Sequence, residues 1–166
     1  MKPVKNKVQN LLHFGRNESG GTLAELAILV PLLAVMLAAV SEFGRFFQNY
    51  TTMAKSTRAA ARYLSNQPFT TAEKDKARNL AACGKLTACA DSEVLVKGMT
   101  AAKVCIESTG SPQVETVTVR IPRDPADTCG ATLNYAPIFN IGALLHTSFS
   151  FAPKISPRVT MRYIPT

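Results

Sequence analysis

Glu25 makes the strongest demand on its surroundings. It stands at the head of a run, Leu26 to Val40, that contains no polar side chain. An ionised group costs on the order of 2.5 to 3.5 kcal/mol at the centre of a bilayer and less near its edge, so a carboxylate there calls for a partner. The other reactive side chains are Cys83, Cys89, Cys105 and Cys129, with His13 and His146. Nucleophilic catalysis needs a base beside the nucleophile, and His146 reads as an ordinary loop histidine. The chain has no Gly-x-x-x-x-Gly-Lys-Ser/Thr phosphate loop, no His-Glu-x-x-His pair and no Gly-x-Gly-x-x-Gly turn. The sequence therefore predicts no enzyme, no catalytic residue and no cofactor.

The cysteines lack the tight paired spacing of zinc sites, so no metal is expected, and an even set suits disulfides in an oxidising compartment. Three pairings are open. Cys83 with Cys89 and Cys105 with Cys129 is preferred, because the first closes a short loop around Gly84 and the second pins a long loop to a hairpin. In a small domain each bridge contributes roughly 2 to 4 kcal/mol.

At 166 residues the chain holds one membrane helix and one modest globular domain. The net charge of +8 invites a nucleic-acid reading, but the basic residues are spread out and no nucleic-acid-binding signature accompanies them, so no nucleic-acid partner is expected. Lys2, Lys5, Lys7 and Arg16 on one side of the apolar run balance Arg45, Lys55, Arg58 and Arg62 on the other. Charge alone thus leaves orientation open.

Gly21 to Phe43 supplies the ~20 residues that cross a hydrocarbon layer. Beyond Val40, residues Phe43, Phe46, Phe47, Tyr50, Met53, Ala54, Thr57, Ala60, Ala61 and Leu64 recur every three or four positions, which predicts an amphipathic continuation of the same helix. The whole, from about Thr22 to Leu64, would run roughly 64 Å at ~1.5 Å per residue. Pro31 lies inside it and predicts a kink or local looseness. Ser65-Asn66-Gln67-Pro68 ends it. Thr70 and Glu73 have the form of a capping box for a second helix, Ala72 to Cys83, stopped by Gly84.

The runs Lys103 to Glu107 and Val114 to Ile121 read as a hairpin around Gly110-Ser111-Pro112, with Val117, Val119 and Ile121 on one face. Val94 to Val96 is a candidate short strand. Pro122 to Thr132 is a polar loop, and Tyr135 to Leu145 is an apolar segment of weak period. Ser148 to Phe151 and Arg158 to Ile164 alternate as strands do. The expected fold is α+β: a long N-terminal membrane-spanning helix, continued as an amphipathic spine and packed on a small antiparallel sheet.

A basic leader, Gly20, four residues, Glu25 and an apolar helix together resemble the processing site of type IV prepilins. The likeness is closer to the TadE-like pseudopilins of the tight-adherence (Flp pilus) system. It rests on Glu25, Pro31, the motif Glu42-Phe43-Gly44-Arg45, the Ala- and Arg-rich stretch Ser56 to Tyr63, and a closing echo at Val159 to Arg162. Leu26 stands where that family commonly has an aromatic, and the four cysteines are a departure.

The resemblance implies a pilin-like fold and a leader at 1–20, cut between Gly20 and Gly21 by a cytoplasmic prepilin peptidase. A transmembrane helix at 21–43, a helical continuation at 44–66 and a periplasmic domain at 67–166 would follow. Glu25 would become the fifth residue of the mature chain. Its partner would be the α-amino group freed at Gly21, either its own about one turn away or that of a neighbouring subunit. Implied partners are other pilin and pseudopilin subunits, the inner-membrane assembly platform and membrane lipid. Implied function is assembly or initiation of the pilus. The rivals are an adhesive, ligand-binding tip module, a single-span membrane enzyme, and a secreted protein whose signal is cut after Ser41. The last leaves Glu25 unexplained and needs a shorter apolar run.

Overall fold

A computed structural model describes residues 18–111, 113–127, 129–139 and 152–164, with side chains from Gly20 onward. The leader up to residue 17, His13, the segment 140–151 with its expected strand Ser148 to Phe151, and His146 lie outside the described residues. Helix α1 spans Glu18–Ser65 and α2 spans Thr71–Cys83. A short 3-10 turn, Ala101–Lys103, leads to strands β1 (Cys105–Thr109), β2 (Thr116–Arg120) and β3 (Arg158–Arg162). The fold is α+β. Its sheet is antiparallel throughout in the order β1-β2-β3, with Cys105 opposite Arg120 and Val119 opposite Val159.

The chain divides into two compact units between Ser41 and Glu42. In the first, every Leu, Ile, Val and Met from Leu23 to Val40 other than Val35 is half or more exposed. Full burial of such a side chain stabilises by about 1.5 to 3 kcal/mol, so leaving ten of them half wet costs on the order of 10 kcal/mol. That equals the whole stability of an ordinary domain. Among the described residues this is one helix long and apolar enough to cross a membrane. It contains Pro31 and remains helical across it.

In the second unit a single core gathers Met53, Ala60, Ala61 and Leu64 of α1 with Ala77, Ala81 and Ala82 of α2. Val117 and Val119 of β2 join it, with Leu133, Tyr135 and Ile155 from the connecting segments. The expected α1 stripe is buried only in part. Phe43 and Phe47 are 61% and 57% exposed, because at 3.6 residues per turn they sit on the margin of the face that holds Met53, Thr57 and Leu64. Thr57 and Ser56 are buried without loss, since each hydroxyl donates to the Met53 carbonyl one turn back.

The Thr70 side chain accepts from the Glu73 amide, and Gly84, at φ 74°, closes α2 by donating its N–H to the Leu80 carbonyl. Only half of the capping box forms. The Glu73 carboxylate accepts instead from the Tyr63 hydroxyl and from Lys76. Val94 to Val96 is not a strand: the Leu95 amide donates to the Ala82 carbonyl, holding this stretch as a loop against the end of α2.

Candidate functional site

The disulfides come from element ends. Cys83 is the last residue of α2 and pairs with Cys89; Cys105 opens β1 and pairs with Cys129 in the loop after β2. Asp127 lies beside the second bridge, with its carboxylate within 4.8 Å of both sulfurs. The two sulfurs are bonded to each other, so this group offers no thiolate to a metal. Asp127 is engaged elsewhere: Arg120, at the end of β2, donates to it and to Glu107 on the neighbouring strand. The Arg120 guanidinium holds the Asp127 carboxyl below the usual aspartate range. Both carboxylates in turn raise the guanidinium.

Of the motif residues, Glu42 is the buried one. It is 2% exposed, and its carboxylate accepts from the Tyr135 hydroxyl, from the Ile138 N–H at 3.1 Å and from the Phe139 N–H at 3.3 Å. Three donors converge on one carboxylate, which is the condition for taking it out of water. Tyr135 sets its ring edge-on to Phe46, with centroids 5.5 Å apart. Burial, and then the hydrogen bond to Glu42, push its hydroxyl up to about 12, so it remains a donor at neutral pH. The arrangement locks the segment 135–139 to the first turn of the helix in this unit. It moves no proton and presents no nucleophile; it positions.

Arg45, Phe43 and Gly44 share that turn but face outward. Arg45 is exposed and forms no ion pair with a described residue. A side chain built at Gly44 would meet no atom within 4 Å, so Gly44 is not a close-packing position among the described residues. In the other unit Gly20, Gly21 and Glu25 all lie on α1, which begins four residues before the expected Thr22, and all three are exposed. A Cβ at Gly20 or Gly21 meets open space. Glu25 makes no hydrogen bond or ion pair with a described residue.

Residues 20–62 match the family model of TadE-like proteins. That segment is similar to TadE-like proteins. The matched segment holds Gly20, Gly21, Glu25, Pro31 and the whole motif Glu42 to Arg45. It ends one residue before Tyr63 and includes none of the sheet, the cysteines or Tyr135. No curated protein and no solved structure matches the chain.

Tyr135 is the site residue that the sequence did not indicate. Glu42 did leave a trace, since Glu42, Phe46, Met53, Thr57, Ala60 and Leu64 advance by four, seven, four, three and four residues and so occupy one narrow stripe.

Proposed function

We propose that this chain is a membrane-anchored minor pilin or pseudopilin that acts in assembly or initiation of a tight-adherence pilus. The observation that carries the reading is the run of water-exposed aliphatic side chains from Leu23 to Val40, directly ahead of a disulfide-bonded unit and inside the TadE-like segment. Such a helix is satisfied by lipid, or by the same helix of other subunits. In this reading a prepilin peptidase cuts between Gly20 and Gly21 on the cytoplasmic face. The apolar helix anchors the chain in the inner membrane, and the second unit lies in the periplasm, where its disulfides persist. Glu25 pairs with the α-amino group of Gly21 on a neighbouring pilin. The assembly platform is the second partner.

Processing tests the reading. In cells with an active pilus peptidase, the wild-type chain should lack residues 1–20, while Gly20→Leu should keep them. The chain itself has room for that leucine, so retention of the leader would report the peptidase pocket rather than a misfolded substrate. The measurement is the intact mass of membrane-extracted protein. A wild-type chain that still begins at Met1 would overturn the proposal.

A further inference from the structure

We propose that a cleft beside Glu42 binds the phosphate of a net-anionic phospholipid headgroup; this rests on the membrane-anchored reading above. The cleft has a volume of about 210 Å³ and is lined by Arg45, Asn49, Lys97, Asn134 and Ile138 among others, with no carboxylate in its wall. Arg45 and Lys97 supply two positive charges, and neither forms an ion pair with a described residue; Arg45 also feels the Glu42 carboxylate, so the three groups together carry one net positive charge. The acceptors of Glu42, one turn before Arg45, are taken up by Tyr135 and the amides of Ile138 and Phe139. Asn49 and Asn134 add side-chain amide donors. A planar guanidinium fork, an ammonium and neutral amides suit a phosphate. Pockets for drug-sized ligands run from about 300 to 1,000 Å³, so this cleft suits a smaller group such as a phosphoglycerol.

Position selects lipid over free phosphate. Arg45 lies two residues past the membrane span expected at 21–43, and the headgroup layer is roughly 5 to 7 Å deep on each side of the hydrocarbon. Exposed Ile138 lines the cleft, and exposed Phe139 follows it in sequence. Aromatic and aliphatic side chains around a cationic cleft match the boundary between headgroups and acyl chains.

The test uses the full chain in dodecyl maltoside micelles, titrated calorimetrically with dihexanoylphosphatidylglycerol, dihexanoylphosphatidylcholine and inorganic phosphate. The expected result is saturable binding of the glycerol lipid, with the choline lipid and phosphate at least tenfold weaker. Arg45→Gln with Lys97→Gln should weaken the glycerol lipid at least tenfold. Lys97→Gln alone, outside the helices, should weaken it severalfold with an unchanged melting temperature, which keeps the test readable if the double variant folds poorly. Equal binding of the glycerol lipid by wild type and the variants overturns the site. Phosphate or choline lipid bound as tightly as the glycerol lipid overturns the assignment to an anionic headgroup. Carbonate washing separates the two layers of inference: a wild-type chain released from membranes defeats the membrane anchor, whereas one that stays but binds no glycerol lipid defeats only the cleft.

Discussion

The hydroxyl of Tyr135 donates to the carboxylate of Glu42, ninety-three residues earlier in the chain. One end of this contact lies on α1 where the second unit begins, and the other lies in a segment without regular structure. The stretch is tied by backbone to residues 153–155 through Leu133 and Tyr135, and beyond Tyr135 it is held by a carboxylate, a side chain with lone pairs enough for three donors at once.

Tyr135→Phe should therefore lower stability by about 1 to 3 kcal/mol, the usual consequence of depriving a buried acceptor of a donor. Glu42→Ala should cost more, because it orphans a phenol and two backbone amides together. Denaturant melts of the full chain in detergent decide this. The pH sign follows from the raised hydroxyl: its contribution is complete below the ordinary tyrosine value near 10 and is lost as pH rises toward about 12. Tyr135→Phe should flatten the alkaline limb.

Gly110→Ala should destabilise the β1–β2 hairpin by on the order of 2 kcal/mol or more. Its φ is 100°, and an added Cβ would stand 2.2 Å from the Gln113 carbonyl oxygen and 2.8 Å from the Glu115 nitrogen, a collision on top of the left-handed penalty. Gly44→Ala is the control. There the Cβ meets nothing and the backbone is helical, so the same substitution should stabilise by roughly 0.5 to 1 kcal/mol. Equal effects at the two positions would contradict this account.

Acid should loosen the loop after β2. The Asp127 carboxyl lies below its ordinary value because Arg120 donates to it. Its contribution is present above the unfolded value near 4 and disappears as pH falls through the lower folded value. Protection of the amides from Arg123 to Asp127 against exchange, taken relative to the unstructured rate at each pH, should fall across that window in the wild type. In Asp127→Asn that protection should already be lower at pH 7 and change less on acidification.

Glu25→Ala should leave insertion and leader removal intact yet abolish cross-linking between neighbouring subunits and pilus formation. The side chain is exposed on α1 and unpaired among the described residues, so its loss disturbs no packing within the chain. Normal pili and normal cross-links in this variant would remove Glu25 from the docking scheme.

The helices were legible because their signals are local. A fifteen-residue apolar run is contiguous over about four turns, and a Thr capping the Glu73 amide and a Gly at positive φ each act within one. The hairpin was legible from alternation, although Thr118, on the face opposite Val117, is also buried, with its hydroxyl against that of Thr160 on β3. What sequence could not supply was long-range. Nothing in Tyr135-Ala136-Pro137 announces a donor for Glu42, and nothing in Arg120 announces that it bridges Glu107 and Asp127. The stripe at Phe43 and Phe47 misled because hydrophobic period reports which face is apolar, not how much of it a small domain covers.

The amide of Ile164 donates to the carbonyl of Ser65, the last residue of α1. Ser65 lies twenty-three residues beyond Glu42 on that helix, roughly 35 Å at 1.5 Å per residue. The second unit thus carries a built-in ruler: a probe attached after Ile164 reads one end of it, and a probe at exposed Phe139, hydrogen-bonded to Glu42, reads the other. Energy transfer between the two would hold near that span while the helix is intact. It would change when the latch at Glu42 releases, so motion at that end can be followed without labelling the helix itself.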